Sequence, residues 1–144
     1  MRKLQIYKAG GYEQLKIVES AELPPCESLQ VKVKVSAVGV NYADCLVRWG
    51  VYESAKQLIG WPITPGFEFS GTVIEIGSSV TQASVGDEVY GVQFFNSYAS
   101  EVCVPEHQVF KKPRDWGLKT LAGFPVVFIT AYHALFQLVK IYPG

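Results

Sequence analysis

Five polar or ring-bearing side chains in the middle of this 144-residue chain have the types that could do chemistry. Asp44 and Glu68 form a possible carboxylate pair, and such a pair can divide proton donation and proton abstraction between its members. Asp44, however, opens a stretch of helical period, where an acidic side chain serves the helix start. Asn41 and Tyr52 carry an amide and a phenol, both able to hydrogen-bond a carbonyl as negative charge develops on its oxygen. On residue chemistry alone they also suit a turn and a packed loop, since Asn favours turns. Phe67 offers a ring to a flat ligand, or to the core of a strand. His107 and His133 are far apart and unpaired, so neither reads as half of a metal site. The cysteines, Cys26, Cys45 and Cys103, are odd in number and lack CxxC spacing. That spacing argues against a secreted disulfide framework and a four-cysteine zinc site. Cys45 alone reads as a small buried hydrophobe, modifiable only if exposed.

The elements that must position these residues read as mostly β. Leu4–Lys8 and Leu15–Glu19 suggest two strands joined by a hairpin turn at Ala9-Gly10-Gly11. Val31-Lys32-Val33-Lys34-Val35 alternates strictly, which predicts a strand with valines inward and lysines toward water. Ala43–Trp49 suits a short helix closed by Gly50, and Val51–Pro65 reads as a loop. Phe67–Ile76, Glu88–Val92, Tyr98–Val104 and Gln108–Lys111 read as further strands, with Pro113 ending the β-rich part. From Pro125 one helix is expected to about Lys140, stopped by Pro143-Gly144. Many short strands with Gly and Pro turns predict a mainly β (α+β) fold, a small and partly open barrel with one C-terminal helix.

Composition narrows the function classes. Apolar residues make up 49% and charged residues 18%, as in a globular domain. Thirteen Lys and Arg balance thirteen Asp and Glu, so no field recruits nucleic acid, and no nucleic-acid partner is expected. The start, Met1 to Lys8, lacks an apolar signal-peptide core, and a cytoplasmic location is expected. Thr120–Val139 carries no Asp, Glu, Lys or Arg and resembles a membrane span in hydropathy. Pro125 inside it, and the polar stripe Thr130, His133, Gln137 and Lys140, favour a helix on a globular domain instead. Val126 to Val139 is apolar over most of its circumference, so this helix needs cover on more than one side, and the barrel supplies only one.

Four stretches carry a family resemblance: Val38-Gly39-Val40-Asn41-Tyr42-Ala43-Asp44 with Arg48, Gly50 and Tyr52; Pro65 to Val73; Gly86 to Gly91 with Ala99-Ser100-Glu101; and Phe124-Pro125-Val126-Val127 with Ile129 to Tyr132. In order and spacing they resemble the medium-chain dehydrogenase/reductase superfamily, whose N-terminal domain is a GroES-like barrel. The zinc alcohol dehydrogenases of that superfamily place Cys and His where this chain has Asn41 and Phe67, and their four-cysteine lobe is absent here. The chain therefore resembles the zinc-independent quinone oxidoreductases, zeta-crystallin-like and vesicle-amine-transport-like members, the latter most closely.

The resemblance implies a GroES-like domain over 1–124 and a crossover helix over 125–144 leading to a nucleotide-binding domain. It implies NADPH as the cofactor of the full-length protein and no zinc. The substrate would be a quinone or α,β-unsaturated carbonyl seated against Asn41, Leu46, Tyr52 and Phe67, with Thr130 near the nicotinamide. Leu46 stands where several family members carry Tyr, which makes for a more apolar pocket. Glu68 is implied to be a remnant of the zinc site's surroundings. No GxGxxG run is present, so no activity is expected of these residues alone. The alternative is a non-catalytic module that self-associates, as a homodimer, through the exposed C-terminal helix.

Overall fold

The computed structural model describes residues 1–139 and 141. Strands β1 (Arg2–Gln5) and β2 (Lys16–Glu19) pair antiparallel, with Arg2 opposite Glu19. Their connection is wider than the tight hairpin expected at Gly10-Gly11, because it includes a helical turn at Tyr12–Gln14. A distant residue shapes it. Arg48 donates from Nη1 to the Gly10 carbonyl at 2.7 Å, and its guanidinium lies 4.4 Å from the centre of the Tyr12 ring.

Five strands build the main sheet: β3 (Gln30–Val38), β4 (Glu68–Ile76), β5 (Glu88–Val92), β6 (Glu101–Pro105) and β7 (Val109–Lys111). All pairings are antiparallel, in the order β6-β3-β4-β5-β7. The sheet curls over a core of Val31, Val33, Phe69, Val73, Val89 and Val104. The β1–β2 ribbon leans on its open side. Leu4 N–H donates to the Tyr98 carbonyl, Ile6 and Ile63 exchange both backbone bonds, and Ser100 N–H donates to the Arg2 carbonyl. The result is the mainly β, partly open barrel that the strand spacing predicts.

The alternation in β3 holds for the valines and for Lys34 but not for Lys32, which is buried. Lys32 lies opposite Glu75 on β4 and Cys103 on β6, and it forms an ion pair with Glu75. The segment before β3 folds over this face, with Cys26 N–H donating to Glu75 Oε1 at 2.6 Å, and Lys32 is buried while Glu75 stays partly exposed. A polar position became interior because the segment leading into its own strand folded over it and a carboxylate from β4 met its charge.

Helix α1 (Tyr42–Arg48) follows β3, and Gly50 ends it at φ 70°, in the left-handed region that favours glycine. The stretch 51–65, expected as a loop, contains α2 (Glu53–Leu58). Its sequence is a run of good helix formers, and Gln57 donates to Glu53 one turn back at 2.9 Å. Pro62 and Pro65 lie beyond its end. A second short helix, α3 (Leu118–Ala122), was also not anticipated. It buries Leu121 and Ala122, and Ser70 of β4 donates its hydroxyl to the Leu118 carbonyl at 2.7 Å.

Helix α4 (Pro125–Tyr132) begins at Pro125, as expected. Regular α winding stops at Tyr132, however, and His133–Leu138 winds more widely, with Val139 N–H reaching back to the Ala134 carbonyl. Leu135, Phe136 and Leu138 on this turn are exposed. Lys140 and Pro143-Gly144, expected as the end and stop of this helix, lie outside the described residues. Among the described residues no helix is long and apolar enough to cross a membrane.

Glu75 is held below the usual carboxylate range, first by its hydrogen bond from Lys32 and then by the Cys26 backbone N–H. Its contribution to stability is complete above the unfolded value of about 4.3 and is lost as pH falls through the lower folded value. Urea midpoints of the native protein should therefore fall more steeply than those of Glu75→Gln on acidification through that window. Parallel slopes would show that the pair contributes no pH-dependent stability.

Candidate active site

Asn41 caps α1 in an extended conformation, and Asp44, in the first turn, accepts the Asn41 backbone N–H at Oδ2 at 2.9 Å. Asp44 is thus the helix-start residue its position suggests. It does more than that. Its Oδ2 also accepts the Tyr98 hydroxyl at 2.9 Å, and its Oδ1 accepts Gly66 N–H at 2.9 Å. Burial, and then the charge of Asp44, push the Tyr98 phenol well above its ordinary pKa, so it stays a donor.

Glu68 is the first residue of β4 and only 1% exposed. Its Oε1 accepts the Asn41 side-chain Nδ2–H at 2.8 Å, and its Oε2 accepts Val126 N–H at 2.8 Å. Val126 is in the first turn of α4, where backbone N–H groups lack partners within the helix and a carboxylate complements the helix dipole. Gly39 admits this arrangement. A Cβ there would stand 2.1 Å from Glu68 Oε1 and 2.5 Å from the Ala122 carbonyl.

Phe67, next to Glu68, belongs to an aromatic cluster. Its ring centre lies 5.1 Å from Phe95, 5.8 Å from Tyr52 and 6.1 Å from Phe94. Phe95 is fully buried, whereas Phe94 is half exposed and opens the cluster to solvent. Phe95 and Asn96 have φ of 70° and 68°, a conformation that strains a bulky residue. Four backbone bonds hold it: Gln93 to Phe67, Asn96 to Thr64, Ser97 to Gly66 and Tyr98 to Pro65, each N–H to carbonyl.

Three of the five residues expected at a site therefore share one neighbourhood, where α1, the β4 start and the α4 start meet. Asn41 is joined there through Glu68, and Phe67 and Tyr52 form its aromatic wall, against which Val126 also packs. Leu46 is half-buried on α1, one turn beyond the cluster residue Ala43, and Thr130 is exposed on α4, one turn beyond Val126. Both flank the cluster. Asp44 and Glu68 each accept two or more hydrogen bonds, so both carboxylates serve as fixed acceptors in the frame. Among the described residues no three His, Cys, Asp or Glu side chains are grouped to hold a metal. Sequence reading missed Phe94, Phe95 and Tyr98 as parts of the site. Their signal was the aromatic run closed by Asn96, a residue type that tolerates positive φ.

An amide, a phenol and a bank of rings can receive a planar carbonyl compound. Residues 27–124 match the alcohol dehydrogenase GroES-like domain. The chain belongs to that family. The mouse synaptic vesicle membrane protein VAT-1 homolog-like is 34% identical over 144 residues, covering 100% of this chain and 34% of its own length. The CurK enoyl reductase structure superposes with a TM-score of 0.91 at 30% identity, over 99% of this chain and 44% of that one. The Escherichia coli quinone oxidoreductase complexed with NADPH does so with a TM-score of 0.87 at 26% identity, over 99% and 43%. The barrel is thus GroES-like, of the quinone-oxidoreductase and VAT-1 branch of the medium-chain dehydrogenase/reductase superfamily. The chain spans about a third of the length of the VAT-1 homolog-like protein.

Within this family framework Glu68 is the joint most exposed to test. Glu68→Ala leaves the Asn41 amide and Val126 N–H without their acceptor and should cost about 3 kcal/mol of stability, read from urea denaturation. Amide exchange at Val126 should accelerate in the same variant. A loss below about 1 kcal/mol with unchanged exchange would show that the two helices are held by packing alone.

Proposed function

We propose that this chain is the substrate-facing part of an NADPH-dependent, zinc-free quinone or enone oxidoreductase that works in the cytoplasm. The observation that carries this reading is the Asn41 amide, fixed by buried Glu68, whose other partner Val126 packs on the cluster that holds Phe67 and Tyr52. One Nδ2 hydrogen of Asn41 goes to Glu68. The other has no acceptor among the described residues and can donate to a substrate carbonyl, and a fixed donor needs no reorganisation as charge grows on that oxygen. Tyr52 can add its hydroxyl, and Phe67 and Phe94 offer faces to a flat quinone or enone while keeping water from one side.

The donor set at the positions where related enzymes hold zinc does not fit that metal. The Asn41 amide nitrogen is committed as a donor to Glu68, and Phe67 carries no ligand atom. For NADPH the fit is partial. Asn41 and Thr130 can border a nicotinamide ring, but the 144 residues contain no glycine-rich dinucleotide turn. We assign that turn to the additional length that the relatives have. When bound, NADPH supplies the hydride that reduces the acceptor. On this reading 1–124 is the substrate domain, 125–144 is the crossover helix, and the isolated chain is inactive.

A second reading rests on α4. Val127, Phe128, Ile129 and Tyr132 are each more than half exposed, an apolar surface of the kind that marks an interaction site. Here the GroES-like barrel is a non-catalytic module that pairs with itself through this helix. Sedimentation at high concentration separates the two readings, since a strictly monomeric chain removes self-association.

Titrating the 144-residue chain with NADPH should give no saturable change in nicotinamide fluorescence or in Trp49 and Trp61 emission. Saturable binding would overturn the assignment of the nucleotide site to other residues. In a protein of the relatives' full length, Asn41→Ala should lower kcat/KM for a 1,4-benzoquinone by about 100-fold, with the fold checked by circular dichroism. Unchanged turnover in a folded variant removes Asn41 from the reaction.

A further inference from the structure

Cys26 and Cys103 are distant in sequence and adjacent in space. Cys103 lies on β6 opposite Lys32, and Cys26 lies in the segment that covers this face just before β3. Their Sγ atoms are 3.7 Å apart, both residues are half-buried, and both are free thiols. The surroundings hold them in place. Cys26 N–H donates to Glu75 Oε1 at 2.6 Å, its Sγ lies 3.8 Å from the Glu75 carbonyl, and Cys103 Sγ lies 3.3 Å from Gln30 Oε1. A disulfide needs sulfurs about 2.0 Å apart, so side-chain rotation and a small shift of the covering segment would close the gap.

A further feature points to oxidation rather than inert packing. Cys103 lines a cavity of about 340 Å³, open to solvent and bordered by Lys3, Glu22, Gln93, Asn96 and Glu101. A small polar molecule with both charges can enter there. The paired Lys32 ammonium also lies beside the thiols. Burial raises both of them, Cys26 to about 12, with the Glu75 charge adding to the rise and the Lys32 charge acting downward on both. Cys103 lines that cavity, so it is the thiol an incoming disulfide meets first.

We propose that Cys26 and Cys103 are a redox-active dithiol that closes to an intramolecular disulfide, with Cys103 attacking first and a low-molecular-weight disulfide such as oxidised glutathione as oxidant. The Cys103 thiolate attacks one glutathione sulfur, forming a mixed disulfide. One glutathione leaves and takes up the proton that Cys103 lost. Cys26, deprotonated in turn, attacks Cys103 Sγ and breaks the mixed disulfide. The second glutathione leaves with the Cys26 proton. Two protein thiols are oxidised to one disulfide, and one glutathione disulfide is reduced to two thiols. The bond would tie the covering segment to β6 across the face that holds Lys32.

The test incubates the protein with oxidised glutathione at mildly alkaline pH and counts thiols after denaturation. The three free thiols should fall to one, the intact mass should drop by two hydrogens, and peptide mapping should join Cys26 to Cys103. Cys26→Ser should stop at one glutathione on Cys103, and Cys103→Ser should leave Cys26 unmodified. Three thiols remaining, a cross-link that includes Cys45, or a wild-type product that stays glutathionylated would each overturn the proposal. Glutathione on Cys26 in the Cys103→Ser protein would overturn the order of attack.

Discussion

Glu68 receives one N–H on each carboxylate oxygen, from the Asn41 side chain ahead of α1 and from the Val126 backbone at the start of α4. A group this deeply buried is costly unless its hydrogen-bonding capacity is met, and here the donors come from elements far apart in sequence. The arrangement also fixes the amide that the proposed chemistry requires, so positional accuracy at the site and stability of the helix junction depend on the same atoms. Gly39 is part of that constraint, because any side chain there would occupy the space of the carboxylate.

The barrel and the aromatic cluster act as support for this joint. β4 delivers Phe67 and Glu68 in succession, so strand alternation sends the ring toward the Tyr52 and Phe95 wall and the carboxylate toward the two helices. The loop 93–98 accepts a strained backbone at Phe95 and is bonded to residues 64–67 at four points. Strain of this kind persists where surrounding bonds over-determine it. Asp44 extends the same frame by joining α1 to Gly66 and Tyr98.

The Lys32 end of the sheet follows another logic. Lys32 and Glu75 meet as cross-strand neighbours, and the segment carrying Cys26 folds over them. The same fold-over brings Cys26 to Cys103. Burial of Lys32 and proximity of the thiols thus have a common origin in one segment of chain.

Periodicity and turn chemistry in the sequence determined the β-rich architecture, the strand β5 to the residue, the Gly50 stop and the Pro125 start, because these depend on local backbone preferences. Asn41, Tyr52 and Phe67 were singled out by the family resemblance and not by periodicity, and Leu46 and Thr130 lie one helical turn beyond Ala43 and Val126. The short helices α2 and α3 were missed because prolines and glycines around them dominate a local reading, and their packing partners lie elsewhere. Only the tertiary structure decided that Lys32 turns from solvent to interior, that Glu68 holds two helices, that Phe95 adopts positive φ, and that Cys26 reaches Cys103. Each of those depends on contacts between residues separated by dozens of positions, and no local pattern in the chain encodes which distant group will arrive.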